Sequence, residues 1–321
     1  MLQRVRDIQL SGADAMKPIK TFINKLVPSL FAEEKSPLVR YESPNAVSSS
    51  KICKDGNPIY IRDWPLPPEA TPRGMILIVH GLGEHISRFD HVADHFNSWG
   101  FAVRGYDQYG HGRTGGPRGG LPSNFRLLDD LADILDDTRK NMDPNTPLIL
   151  LGHSMGGLVV GRFVALSTRP VDGLIMSSPA LDPGLSFVQK ILLAVVPAVA
   201  PNLRVGNGVD AKYLSHDTKV VSDYLADPFG HDRISGRLAR FIAKTGPQTV
   251  AVAPQWKVPT LLIYSGDERV LEPMGSTIFA ETAPKDLVSS KKFDTLYHEI
   301  FNELDAAPVF ETVKKWLDLR F

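Results

Sequence analysis

Ser154 stands at the centre of Gly152-His153-Ser154-Met155-Gly156, between the apolar run PLILL and the helix-like GLVVGRFVAL. A serine hydroxyl is a poor nucleophile at neutral pH, so it needs a base within hydrogen-bond reach and an acid to orient that base. The pentapeptide G-x-S-x-G is a weak signal by itself. Its place between strand and helix makes it a strong one, because the serine then occupies a sharp turn above the sheet edge and the glycines remove side chains that would strike neighbouring backbone. Met155, first in the helix, is placed to offer a backbone N–H to a developing oxyanion, aided by the positive end of the helix dipole. The competing reading is a simple helix N-cap.

Chain order sorts the partners of Ser154. On an elbow of this kind an acid and then a histidine follow the serine, each after a later strand. Of nine histidines only His216, His231 and His298 follow Ser154, and only His298 lies beyond the last buried apolar run. His298 is the base by elimination. His216 and His231 fall in an insertion, as solvated or structural side chains, and His80 and His153 sit beside glycines in tight turns, where they brace backbone.

Such a site needs a frame to position it. Short apolar runs at 75–79, 102–106, 148–151, 173–176 and 260–264 read as strands buried on both faces. An Asp55-Gly56 turn between two β-prone runs opens the sheet with an antiparallel hairpin. Segments 87–99, 125–142, 155–166 and 307–319 carry apolar residues at helical spacing. This alternation predicts an α/β fold with a mostly parallel central sheet, helices on both faces and right-handed crossovers. The gap between the runs near 175 and 262 is too long for one crossover, so an insertion of roughly 70 residues sits there. The expected organisation is a helical and linker extension over 1–48, a core over 49–182 and 256–321, and a lid over 183–255.

With 36 basic and 36 acidic side chains there is no concentrated basic surface for nucleic acid, and 43% hydrophobic residues exclude a disordered chain. The single cysteine, Cys53, rules out an intrachain disulfide or a cysteine zinc site and favours a reducing compartment, hence a cytoplasmic location. The chemistry calls for no cofactor and no metal. The longest apolar run, 191–200, contains Pro197 and is about half the ~20 residues needed to span a bilayer. The N-terminus shows neither the apolar region nor the cleavage site of a signal peptide. Two apolar stretches, 19–31 and 185–201, suit burial in the core, a second copy of the chain, or peripheral contact with a lipid surface. Burial is the preferred reading for both, and the oligomeric state is left open.

Three blocks carry a family resemblance. His80-Gly81-Leu82-Gly83-Glu84-His85 resembles an HGxGEH oxyanion-loop signature, residues 152–157 a GHSMGG elbow, and Tyr297-His298-Glu299 a terminal histidine block. Over residues 50–321 the chain thereby resembles the α/β-hydrolase fold, and more narrowly the monoacylglycerol lipase and lysophospholipase family of serine hydrolases. The resemblance implies that Leu82 donates a second oxyanion N–H beside Met155, that the insertion is a lid over an acyl pocket, and that catalysis passes through an acyl-enzyme. Asp107-Gln108-Tyr109-Gly110-His111-Gly112 is similar to the family's D-x-x-G-H-G loop, without an arginine common there, and reads as structural. The resemblance places the acid in Ser265-Gly266-Asp267-Glu268-Arg269-Val270, where Asp267 and Glu268 compete for one role and, as neighbours on an extended loop, point in opposite directions, so only one faces His298. Counted back from Pro273, whose counterparts lie five residues after their acid, the family position is Glu268, with Asp267 as the alternative. An apolar lid favours a long acyl chain, each buried methylene contributing about 0.8 kcal/mol. The implied substrate is a lipid ester such as monoacylglycerol or a lysophospholipid. The alternatives are a general carboxylesterase or thioesterase, and a hydrolase-fold protein that binds without turnover.

Overall fold

The central strands form where β-branched and leucine residues cluster. The computed structural model describes residues 43–184 and 200–321. Its strands are β1 (Val47–Ile52), β2 (Pro58–Trp64), β3 (Gly74–Val79), β4 (Phe101–Tyr106), β5 (Leu148–His153), β6 (Gly173–Ser177), β7 (Arg204–Gly206), β8 (Arg233–Ser235), β9 (Thr260–Ser265) and β10 (Val288–Phe293). Eight of them make one sheet in the order β1-β2-β4-β3-β5-β6-β9-β10. The pairs β1–β2 and β2–β4 are antiparallel and every other pair is parallel. The opening hairpin turns at Gly56, whose φ of 82° suits a residue without Cβ, and the Asp55 carboxylate accepts the Asn57 N–H at 3.0 Å.

Side chains of the central strands alternate between two cores. Leu77, Val79, Leu148 and Leu150 face one cluster, and Ile76, Ile78, Ile149 and Leu151 face the other. Helices α1 (Asp90–Ser98) and α7 (Ala307–Arg320) cover the second face; α2 (Arg126–Lys140) and α3 (Met155–Ala165) cover the first. Burial on both faces is why these strands read as continuous apolar runs.

Between β6 and β9 lie α4 (Thr218–Ala226) and α5 (Gly236–Ala251), with β7 and β8 paired antiparallel beside them. Both helices fall within the span 183–255 expected as a lid. Leu238, Phe241 and Ile242 of α5 pack into the core on the α3 face, so this helix is a sheet-covering crossover. Pro247 inside α5 disguised its periodicity. A further helix, α6 (Met274–Thr282), and the edge strand β10 were not expected; β10 reads VSSKKF and buries only its two ends. The amphipathic stretch at 19–31 lies outside the described residues, as does 185–199 of the apolar stretch.

The segment from β7 to β8 is fastened to the core at several points. The His231 N–H donates to Gly83 O at 2.9 Å, Ser235 N–H to Gly119 O at 2.8 Å, and Glu299 N–H to Leu214 O at 2.8 Å. His216 Nδ1 and its N–H both meet the Glu303 carboxylate, at 2.8 and 3.0 Å, and His85 Nε2 lies 2.7 Å from Asp227 Oδ2.

Candidate active site

At the end of β5 the chain turns through Ser154, with φ 55° and ψ −119°, and enters α3 at Met155. Such a φ is costly for a residue with a side chain and persists only when surrounding contacts fix it. Here the Ser154 N–H donates to Ser177 O at 2.9 Å, and its carbonyl accepts from Leu158 and Ala180 at 3.1 and 3.0 Å. The flanking glycines are required by space: a Cβ at Gly156 would lie 2.0 Å from Val79 O, and one at Gly152 would lie 2.4 Å from Gly156 O.

The structure brings Ser154, His298 and Glu268 together. His298 Nε2 is 2.8 Å from Ser154 Oγ, and its Nδ1 is 2.8 Å from Glu268 Oε2. The loop after β9 aims Glu268 inward because its other oxygen accepts the N–H groups of Val270 and Leu271, at 2.8 and 3.3 Å. Asp267 points away and pairs with Arg269 at 2.6 Å on the surface. Burial alone would lower the pKa of His298, but the Glu268 charge and hydrogen bond outweigh it and raise the net value. Burial would likewise raise Glu268, and the imidazole and the two backbone donors turn the net shift downward. The pair thus favours the protonated, imidazolium form of His298.

The loop carrying Leu82 flanks the nucleophile: a Cβ on Gly81 would lie 3.2 Å from Ser154 Cβ. Both ends of this loop are anchored. Gly81 N–H donates to Glu84 Oε1 at 2.6 Å, and Gly83, at φ 80°, has no room for a Cβ against His231 O. His80 braces it from behind, its Nε2 accepting the Gln108 N–H at 3.0 Å. Met155, the first residue of α3, is buried beside the serine.

Beneath the site is a buried ionic cluster that the sequence reading did not assign. Arg88 Nη1 meets Glu84 Oε2 and Glu299 Oε1, and Nη2 meets Glu299 Oε2, all at 2.8 Å. One guanidinium thereby joins the Leu82 loop to the residue after His298, and it also lies over the Tyr224 ring of α4, 5.1 Å from its centroid. Burial pushes Glu84 up to about 7 against the pull of Arg88. For Glu299, burial is outweighed by the bidentate contact, which holds it at about 2. Glu84 and Glu299 lie in the oxyanion-loop and histidine motifs; the four-residue spacing of Glu84 and Arg88 is the hint the sequence offers, and the pairing across the fold is not visible in it. His153 packs its ring 5.0 Å from that of His298, and burial pushes it down to about 3, so it stays neutral beside the imidazole.

His216 and His231 are structural, the latter taking the Arg233 N–H on Nδ1 at 3.1 Å. Asp107 accepts the N–H groups of Ile86 and Arg113, at 2.8 and 2.6 Å, and so ties its loop to the Leu82 loop. Among the described residues no group of three or more histidine, cysteine or acidic side chains could hold a metal ion, and no helix is long and apolar enough to cross a membrane.

A family model described as serine aminopeptidase, S33, matches residues 70–305. A monoacylglycerol lipase of Mycolicibacterium smegmatis is 32% identical over 253 residues, covering 78% of this chain and 90% of its own. Phospholipase YtpA of Bacillus subtilis is 28% identical over 251 residues, covering 77% of this chain and 96% of its own. Among solved structures, the monoacylglycerol lipase of Paleococcus ferrophilus superposes with a TM-score of 0.74 at 30% identity, covering 82% of this chain and 99% of that one.

Proposed function

From the premise that the chain belongs to the serine aminopeptidase S33 family, with an α/β-hydrolase fold, we propose that it hydrolyses carboxylic esters of lipids at Ser154. The observation that carries this reading is the continuous path from Ser154 Oγ through His298 to Glu268, two contacts of 2.8 Å. His298 Nε2 takes the hydroxyl proton as Oγ attacks the ester carbonyl. The oxyanion is held by the N–H groups of Leu82 and Met155, each of which contributes about 2.7–4 kcal/mol in comparable sites. The imidazolium then protonates the departing alcohol, leaving an acyl-serine. Water, deprotonated by His298, attacks that ester, and collapse releases the carboxylic acid and restores Oγ–H. Glu268 keeps the proton of neutral His298 on Nδ1, so that Nε2 is free to accept.

Monoacylglycerol is the preferred substrate in this reading, supported by the names of the relatives and by the apolar stretch at 185–201, which falls between Ser154 and Glu268 in the sequence. A lysophospholipid is the second candidate, favoured by the relative named as a phospholipase. Peripheral contact with a lipid surface through 19–31 or 185–201 belongs to the same proposal. A fluorophosphonate probe should label Ser154, and failure to label would favour a binding protein without turnover. In a p-nitrophenyl ester series kcat/KM should peak at medium or long acyl chains; a peak at acetate would reject the lipid reading.

A further inference from the structure

On the flank of the molecule, α2, α3 and α5 enclose a groove of about 350 Å³, within the size range of small-molecule sites. Its apolar lining includes Phe125, Leu128 and Leu166, and Phe125 and Leu166 are large side chains left 64% and 48% exposed. Among the described residues its charges are Arg162, Arg240 and Lys244, and no carboxylate lines it. None of these three cations has a hydrogen bond or ion pair among the described residues. Elsewhere Arg62, Arg88, Arg104 and Arg126, all shielded from solvent, each meet a carboxylate. Arg162 is half-buried yet faces no anion, and burial alone lowers its pKa. A guanidinium stays charged in proteins, so it stands at the groove as a partly shielded donor fork that meets no protein acceptor among the described residues.

We infer that this groove binds one long-chain carboxylate, its headgroup on Arg162, Arg240 and Lys244 and its chain along Phe125, Leu128 and Leu166. A planar carboxylate fits the guanidinium fork bidentately. The apolar side chains account for the hydrocarbon, and a concave site suits a single amphiphile better than a bilayer face. The groove is separate from the catalytic centre, since Arg162 is eight residues along α3 from Ser154, or ~12 Å of helix rise. That the occupant is also a reaction product rests on the hydrolase reading; the binding itself does not.

The test uses the full chain with Ser154 blocked by a long-chain fluorophosphonate, which fills the acyl pocket, and titrates monomeric oleate by calorimetry. If the probe does not react, the hydrolase reading fails, and the titration proceeds on Ser154→Ala. One saturable oleate per chain is expected. Its affinity should fall by about tenfold or more in Arg162→Gln and in Arg240→Glu, the loss of one charge-assisted hydrogen bond. Oleyl alcohol, with the same chain and no charge, should bind about tenfold or more weakly. Arg240 is exposed, so its variant keeps the test valid if Arg162→Gln folds poorly. The proposal is overturned if the blocked protein binds no oleate, if Arg240→Glu binds it as tightly as the parent, or if the alcohol binds equally well. Retention by phosphatidylglycerol vesicles without binding of monomeric oleate would make this a membrane face and overturn it too.

Discussion

Replacing Glu268 by glutamine removes one charge and almost no volume. In the native site Nδ1 of His298 donates to Oε2 at 2.8 Å while Oε1 accepts from Val270 and Leu271. A glutamine that keeps its oxygen on those two backbone donors must present its NH₂ to Nδ1. The imidazole then moves its proton to Nε2, where it faces Ser154 Oγ and cannot accept. A wrong tautomer of this kind lowers kcat by about 10⁴-fold in a comparable triad, or ~5.4 kcal/mol of transition-state stabilisation. The pH profile gives an independent reading. In the native enzyme His298 titrates above its ordinary 6.5, and activity is lost as pH falls through that raised value and the base is protonated. Without Glu268, burial is the dominant influence left, so the acid limb should move to lower pH. The assay is kcat/KM on a soluble p-nitrophenyl ester across about pH 5 to 9, for Glu268→Gln and Asp267→Asn separately. Asp267→Asn removes only a surface pair with Arg269 and should leave both rate and profile near the parent's. A large loss confined to Asp267→Asn, or an unmoved acid limb in Glu268→Gln, would refute the reasoning.

Other outcomes follow from the same geometry. Arg88→Met strands two buried carboxylates, a loss of about 3–5 kcal/mol. For 321 residues, with an unfolding entropy of ~0.7 kcal/mol/K, that is a fall in Tm of roughly 4–7 °C by calorimetry. Because Glu299 is depressed from 4.5 to about 2, its contribution is complete above 4.5 and fades as pH drops toward 2; Arg88→Met should lack that acid dependence. Ser154→Ala and His298→Ala should each remove nearly all activity, and the double variant should be little worse, since the two act through one proton transfer; multiplicative losses would count against the triad. Gly156→Ala drives a methyl into Val79 O, 2.0 Å away, and should abolish fluorophosphonate labelling even where the protein still folds. Normal labelling would mean the elbow tolerates what its contacts forbid.

What the amino-acid order makes legible is set by how local the physics is. Buried strands such as 148–151 announce themselves because both faces must be apolar, and the elbow does so because it needs two glycines at fixed spacing. His298 follows from order alone. β10 was invisible because an edge strand reading VSSKKF owes its form to main-chain pairing with β9 and not to burial. α5 was absorbed into the insertion because Pro247 breaks its pattern, although Gly246 is there for a packing reason: a Cβ would lie 2.4 Å from Leu181 O. The preference for Glu268 came from its distance to Pro273, a family habit, while the physical reason is the pair of N–H groups that turn it inward. The Arg88 cluster joins residues 211 positions apart, and no local pattern reports that.

The span from β7 to β8 behaves as an arch whose feet stand in the reaction machinery. One foot is the main-chain link from His231 to Gly83, next to Leu82; another is the link from Leu214 to Glu299, next to His298. Lifting this arch would pull on the loop that carries Leu82 and on the loop that carries His298. Substitutions that loosen either foot should therefore disturb the Leu82 loop and the His298 loop together.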